Sequence, residues 1–201
     1  WISILDLEVE KVIYNFKDGS YMARAKSKTS IDTKFAIYYR SGDIRDDYES
    51  YVLGKFNTLQ RFSDEYSAIA KKIIAEELGY ENNTTMVMYK MDDKARKILE
   101  LDMEFDKSLP LCSEVLIRLD LEDSSLEEVA KVLMDAHKAF LENNCNFTEY
   151  SLYGEKDDTH VSVHGITPKY IESGELINLL KEAKDNEGVD GIYIFIKEEN
   201  K

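Results

Sequence analysis

Proline, cysteine and glycine are scarce in this chain. Its 201 residues include two prolines, two cysteines and nine glycines. Such a composition leaves no room for a low-complexity linker, and 43% apolar with 33% charged residues is ordinary for a folded protein. The longest apolar runs are only a few residues, too short to span a bilayer. The length allows one domain or two small ones, each with a real core.

Positive charge is also in short supply. The 26 lysines and arginines face 40 aspartates and glutamates, which gives a net charge of −14 and a pI near 4.7. Nucleic-acid binding draws its affinity from clustered Lys and Arg, and no such cluster is present, so we predict no nucleic-acid partner. The charge also disfavours an anionic membrane surface. It fits a solvated acidic surface or, alternatively, a basic partner.

The motifs of common catalytic sites are absent. The sequence has no P-loop, no G-x-G-x-x-G, no G-x-S-x-G and no EF-hand loop. Paired carboxylates occur at Asp46–Asp47, Asp92–Asp93 and Asp157–Asp158, but each lies beside a turn or helix start, where Asp stabilises the local backbone. We therefore predict no catalytic residue, no cofactor and no metal. An enzyme with an unrecognised site is an alternative.

Period-two alternation predicts an N-terminal antiparallel sheet. The Asp18–Gly19 dipeptide is typical of a tight hairpin because it tolerates positive φ angles. The predicted strands lie around Leu5–Val9, Val12–Phe16, Tyr21–Lys26 and Ile31–Tyr39.

Helical spacing follows over residues 41–79, as one kinked helix or two helices. Ser63 is the predicted N-cap of the second helix, and Gly79 the residue that ends it. Thr84–Lys90 and Leu99–Phe105 are then predicted strands, joined by a turn at residues 91–94. The alternation is clearest in Leu99–Phe105.

The last ninety residues predict strand, helix, strand, strand, helix, strand. Ser125 and Glu128 form a capping box at the first helix, and Ser173 and Gly188 are the predicted limits of the second. This order is that of a ferredoxin-like β-α-β-β-α-β unit, with both helices on one face of a four-stranded antiparallel sheet. The fold class is therefore α+β. We predict an N-terminal half at 1–108 and the ferredoxin-like half at 109–201, with one continuous domain as the alternative.

Alternation in this unit sends valines and isoleucines inward and places polar and aromatic side chains on the helix-free side. The candidate interaction face consists of Tyr153, His160, His164, Tyr193 and Phe195. Three interpretations remain open: the face packs against the N-terminal half, it binds a second subunit or another protein, or it binds a small ligand.

His160 and His164 have the spacing that chelates zinc on a helix, but the intervening valines predict a strand. Four residues of strand separate two side chains by roughly 13 Å. Two imidazoles that far apart cannot share one zinc, since each zinc–nitrogen bond is about 2 Å. We therefore interpret both as surface polar residues.

The two cysteines, Cys112 and Cys145, lie at the same pole of the predicted C-terminal unit. One precedes its first strand and the other follows its first helix. A disulfide between them is one alternative. Two free thiols are the other, as in a reducing cytosol.

We predict a non-catalytic protein-interaction or binding domain that associates with a protein partner or with itself. The chain begins at Trp1, which is compatible with the extracytoplasmic part of an anchored bacterial protein or lipoprotein. A cytosolic acidic inhibitor or immunity-type protein is the alternative, since acidity would complement a basic target.

Overall fold

The computed structural model describes residues 6–157, 159–186 and 191–198. Trp1, Leu5, Asp158 and Gly188 lie outside the described residues. The chain divides into two compact units, one made of residues 1–62 and 91–105 and the other of residues 63–90 and 106–201. The division therefore differs from two consecutive halves, because residues 63–90 belong to the second unit.

The first unit contains an antiparallel sheet with the strand order β1-β3-β4-β5, in which β2 also pairs with β3. The predicted hairpin is confirmed: Gly19 has a φ of +71° in the turn between β2 and β3. A further strand, β5, lies in the region predicted as helix. The strands are β1 (Leu7–Val9), β2 (Ile13–Asn15), β3 (Ser20–Ser27), β4 (Lys34–Arg40) and β5 (Asp43–Asp46).

A π-helical turn (Glu49–Leu53) follows the sheet, and a single helix, α1 (Phe56–Leu78), comes after it. Ser63 lies inside α1, so its prediction as an N-cap is wrong. Gly79 ends the helix as predicted, with a φ of +80°. The interruption predicted near residue 63 falls earlier, where Lys55 has a φ of +62°.

The predicted strand Leu99–Phe105 is wrong. The short helix α2 (Asp93–Ile98) precedes this segment, and the segment itself contains no strand. Asp102 has a φ of +61°, which interrupts an extended backbone. Its N–H donates to the carboxylate of Asp32, and the Met103 carbonyl accepts from Arg61. Side chains thus provide the backbone partners that a neighbouring strand would have supplied.

The second unit contains a mixed five-stranded sheet in the order β10-β9-β8-β7-β6. Strands β7 and β8 are parallel neighbours, and the other pairs are antiparallel. The strands are β6 (Thr84–Tyr89), β7 (Ser113–Asp120), β8 (Glu149–Lys156), β9 (Thr159–Ile166) and β10 (Tyr193–Glu198).

The α+β class and the order of elements in the second unit agree with the prediction, but the ferredoxin-like arrangement is not confirmed. That arrangement inserts the third strand of the unit between the first and second. Here the first crossover joins adjacent strands, so β7 pairs with β8 directly and β10 pairs with β9. β6 also joins beside β7 as a fifth strand, which the prediction left outside the unit.

The helices of the second unit cover one face of its sheet. Ser125 caps α3 (Leu126–Glu142) as predicted, because its Oγ accepts from the N–H of Glu128 at 3.2 Å. Ser173, in contrast, ends α4 (Pro168–Glu172), and α5 (Leu176–Asp185) begins after Glu175. The core between helices and sheet includes these fully buried side chains: Val115, Ile117, Leu133, Phe140, Tyr150, Leu152, Val163 and Leu180.

No helix in the described part of the chain is both long enough and apolar enough to cross a membrane.

Candidate functional site

The face of the second sheet that points away from α3 and α5 is called here the open sheet face. Strand alternation defines it, because its residues alternate with buried ones along each strand. Cross-strand register shows that the five predicted residues share this face. Tyr153 lies opposite Ser162, which lies opposite Phe195, and His164 lies opposite Tyr193. Its members include Met86, Met88, Glu114, Leu116, Arg118, Ser151, Tyr153, His160, Ser162, His164, Tyr193 and Phe195.

Two aromatic side chains on β10 are the most exposed apolar groups of this face. Tyr193 and Phe195 are each 62% exposed. They lie two residues apart on one strand, so both rings project from the same side of the sheet. Large, accessible aromatic groups of this kind typically anchor contacts with other molecules.

Tyr153 lies at the centre of a cluster of charged and aromatic side chains. The guanidinium of Arg118 is 5.4 Å from the centroid of the Tyr153 ring. His164 meets the same ring edge to face, with the centroids 4.9 Å apart. Arg118 lies opposite Tyr153 in the parallel β7–β8 pair, which accounts for the first contact. The Tyr153 ring therefore contacts both Arg118 and His164, and the residue is half-buried.

A hydrogen-bond chain links His164 to β7 through a buried serine. The Ser151 hydroxyl donates to Glu114 Oε1 at 2.6 Å, and Ser151 Oγ lies 3.1 Å from His164 Nδ1. A hydroxyl has one proton, and the Ser151 proton is directed at Glu114. The Nδ1 of His164 is therefore the donor in its hydrogen bond to Ser151. Ser151 is 0% exposed. Buried in this chain, its hydroxyl orients His164 and is not available as a nucleophile.

His160 lies apart from His164 on the same strand. Its Nδ1 is 3.6 Å from Glu155 Oε1, and its cross-strand neighbours are Glu155 and Lys197. His164 instead contacts Ser151 and Tyr153. Within residues 6–157, 159–186 and 191–198, no group of three or more His, Cys, Asp or Glu side chains is placed to hold a metal ion.

Strand β6 adds residues to the open sheet face that the sequence prediction missed. Met86 lies opposite Leu116, and Met88 lies opposite Glu114. Both methionines are exposed, by 49% and 41%. Their alternation with the buried Val87 was a visible signal, but the sequence did not show that β6 pairs with β7.

The two edges of this sheet differ. On β6 the N–H groups of Val87 and Tyr89 donate to the hydroxyls of Ser67 and Ser63, two residues one turn apart on α1. These serines occupy backbone donors that could otherwise pair with another strand. β10 lies at the other end of the strand order, with β9 as its neighbour among the described strands.

Both cysteines are free thiols in the structure, so the disulfide alternative is not seen. Cys145 is buried, and its Sγ is 3.9 Å from Lys107 Nζ. Burial raises the pKa of the Cys145 thiol and outweighs the opposing charge of Lys107. A thiol with a raised pKa is a weak nucleophile near neutral pH.

A family model described as the YfjL-like C-terminal domain matches residues 65–181, which is more than half of the chain. The chain belongs to the YfjL-like C-terminal domain family. The match begins inside α1, continues through β6 to β9 and ends inside α5. No curated protein and no solved structure matches the chain.

The family segment contains part of the open sheet face. Tyr153, His160 and His164 lie inside the YfjL-like match, whereas Tyr193 and Phe195 lie beyond its end. The first 64 residues, which hold the N-terminal sheet, also lie outside the match. The two exposed rings of β10 are therefore features of this chain that the match does not include.

Proposed function

We propose that this chain is a non-catalytic protein-interaction domain that binds an extended segment of a partner protein along β10. Tyr193 and Phe195 are the proposed anchors. The observation that carries the proposal is that an edge strand of the sheet bears two aromatic side chains, each 62% exposed.

An edge strand offers backbone donors and acceptors to an incoming strand, which is the basis of peptide binding by strand addition. The β6 edge is occupied by Ser63 and Ser67. The asymmetry favours β10 as the edge that accepts a partner. Main-chain hydrogen bonds would supply affinity, and contacts with the two rings would supply specificity.

The charge of the chain supports a basic partner segment. A net charge of −14 accelerates encounters with positively charged proteins and opposes the approach of a second copy. A partner peptide with alternating apolar residues matches the strand edge, and flanking Lys or Arg residues match the negative electrostatic potential of the chain.

The test is selection of peptides from a random displayed library on the immobilised chain, with counter-selection on the Phe195→Asp variant. We expect enriched peptides with the alternating basic pattern. Their affinity should fall about tenfold or more for Phe195→Asp, equivalent to at least about 1.4 kcal/mol at an aromatic anchor. Fluorescence anisotropy of a labelled peptide measures its dissociation constants for the wild-type chain and for the Phe195→Asp variant.

Leu53→Asp is the matched control. Leu53 is also 62% exposed, and the substitution introduces the same negative charge. If the peptides lose affinity for both variants to the same extent, the loss is due to the added negative charge alone. That result would contradict the proposal. Amide shifts of the peptide complex in NMR spectra should concentrate on β10 and β9, and shifts confined to the N-terminal unit would also contradict it.

A further inference from the structure

An open cleft of about 590 Å³ lies on one face of the N-terminal sheet. It is called here the N-terminal cleft. Met22, Arg24, Ala36 and Tyr38 share the sheet face that forms its floor, as their cross-strand pairing shows. Ile31 and Tyr51 contribute further apolar surface. The volume is in the range of small-molecule sites.

The cleft concentrates cations in a chain that is otherwise strongly acidic. Lys26 and Lys34 are direct cross-strand partners in the β3–β4 pair, and both line the cleft. Like charges placed directly opposite each other on a sheet are destabilising. Lys26 is balanced by Glu8, whose carboxylate lies 3.2 Å from its Nζ. No described acidic side chain forms an ion pair with Lys34 within 4.0 Å.

Arg24 also lines the cleft, and it too forms no ion pair within 4.0 Å with a described acidic side chain. It lies two residues from Lys26 on β3, so its side chain projects from the same face of the sheet. Its cross-strand neighbour is Ala36, a small and buried residue that leaves the floor open beside the guanidinium. Arg24 and Lys34 thus provide two positive charges next to an apolar floor.

Neither of the two carboxylates that line the cleft, Glu10 and Asp47, forms an ion pair with Arg24 or Lys34 within 4.0 Å. Asp47 is hydrogen-bonded within the cleft lining: its Oδ1 accepts from the Ala36 N–H and its Oδ2 from the Tyr38 hydroxyl. Glu10 is exposed, and its backbone N–H donates to the carbonyl of Arg24. Three cations, Arg24, Lys26 and Lys34, therefore line the cleft against two carboxylates.

We propose that the N-terminal cleft binds a small amphipathic anion. The anionic group lies between Arg24 and Lys34, and the apolar part packs on Met22, Ala36 and Tyr38. The headgroup chemistry is that of a carboxylate or a phosphate monoester, which both accept charge-assisted hydrogen bonds from Arg and Lys. The site belongs to the first unit and is independent of the function proposed for β10.

The experiment is calorimetric titration of the full chain with octanoate, octyl phosphate and 1-octanol. We expect saturable binding of at least one of the two anions and no saturable binding of the alcohol, because only the anions can pair with Arg24 and Lys34. Comparison of the two anions decides between carboxylate and phosphate. A net charge of −14 disfavours nonspecific uptake of anions, so saturable binding reports a local site.

The variants are Arg24→Gln and Lys34→Gln, with Lys17→Gln as the control for loss of one exposed positive charge outside the cleft. Each cleft variant should weaken anion binding about tenfold or more, as expected for loss of a charge-assisted bond. Lys17→Gln should leave it unchanged. Lys34→Gln should also keep or raise the melting temperature, since it removes the repulsion with Lys26.

Several results would overturn the proposal. These are binding of 1-octanol as tight as that of the anions, equal affinity of all three glutamine variants, and no saturable binding of either anion to the wild-type chain. Loss of binding with a lowered melting temperature in both cleft variants would indicate a structural role instead and would equally reject the site.

Discussion

At the scale of single residues, one buried ion pair organises the first unit. Asp32 is 1% exposed and accepts two hydrogen bonds from the Arg61 guanidinium, at 2.9 Å each. Its Oδ2 also accepts from the N–H of Asp102, and its own N–H donates back to the Asp102 carboxylate. The pair therefore fixes the loop around residue 102 against the segment that precedes β4.

We expect Asp32→Asn to destabilise the first unit strongly. The amide keeps the shape of the side chain but removes the negative charge that pairs with Arg61, and breaking a buried ion pair costs about 3–5 kcal/mol. Urea unfolding followed by circular dichroism measures the loss of unfolding free energy.

Glu8→Gln is the matched control for this prediction. It breaks the Glu8–Lys26 ion pair, whose side chains are 61% and 56% exposed. A surface pair of this kind contributes about 0–1 kcal/mol. Similar losses in the two variants would show that burial of Asp32 does not strengthen its pairing with Arg61.

At the scale of elements, helix α1 shows how one helix protects a sheet edge. Ser63 and Ser67 are four residues apart, so both hydroxyls project from one side of the helix. They accept from the N–H groups of Tyr89 and Val87 at 3.4 and 2.7 Å. Ser67 also donates to the carbonyl of Ser63 at 2.6 Å, which fixes its hydroxyl.

We expect Ser67→Ala to weaken protection of the β6 edge. The Val87 N–H would lose its acceptor, and an unsatisfied buried donor costs about 1–3 kcal/mol. Hydrogen exchange at the Val87 amide should accelerate, while amides in the centre of β8 keep their protection.

Lys72→Ala, an exposed position on the same helix, is the control for a change in helix propensity. Equal acceleration at Val87 in both variants would argue against the serine as the protecting group.

The strand predictions show when alternation of apolar and polar residues is a reliable sign of a β-strand. Ser113–Asp120 has alternating inward residues and is a strand whose inner side chains are buried. Leu99–Phe105 has equally clear alternation, but none of the described strands pairs with it, and Arg61 and Asp32 bind its backbone. Alternation describes a preference of the side chains, whereas a strand also requires a neighbour for its backbone groups.

At the scale of the whole molecule, the chain carries a large excess of negative charge. The pI is near 4.7, and the net charge at neutral pH is −14. Large apolar side chains are nonetheless exposed, including Phe16 at 84% and Ile44 at 75%. Mutual repulsion at neutral pH keeps such surfaces apart, and loss of net charge removes that barrier.

We expect the protein to associate near pH 4.7 while it is still folded. Burial opposes ionisation of Asp32, but the hydrogen bonds and charge of Arg61 outweigh it and lower the pKa below the ordinary value of 3.8. Stability from a lowered carboxylate pKa is present above the ordinary value and is lost as the pH falls through the folded-state pKa. At pH 4.7 that contribution is intact.

Turbidity and far-ultraviolet circular dichroism across pH 7 to 2 measure the two events. Turbidity should rise near pH 4.7 while the circular dichroism spectrum stays unchanged. The secondary-structure signal should be lost only at pH values below 3.8. Unfolding that precedes or accompanies the turbidity would contradict association of the folded protein.

The amino-acid sequence by itself determined the α+β class, most strands of both sheets and the capped helix α3. These features depend on local physics: alternation of side chains, the turn at Gly19 and the hydroxyl of Ser125 are all set within a few residues. The sequence also placed His160, His164, Tyr193 and Phe195 in strands with one facing direction, because alternation alone sorts a strand into two faces.

Only the tertiary structure decided the strand order, the inclusion of β6 and the N-terminal cleft. Pairing between β7 and β8 depends on contacts between residues distant in the sequence, and several strand orders satisfy the same alternation. The like-charged pair of Lys26 and Lys34 likewise appears only once β3 and β4 are aligned in register. Chain order specifies which elements form, whereas long-range packing specifies which of them become neighbours.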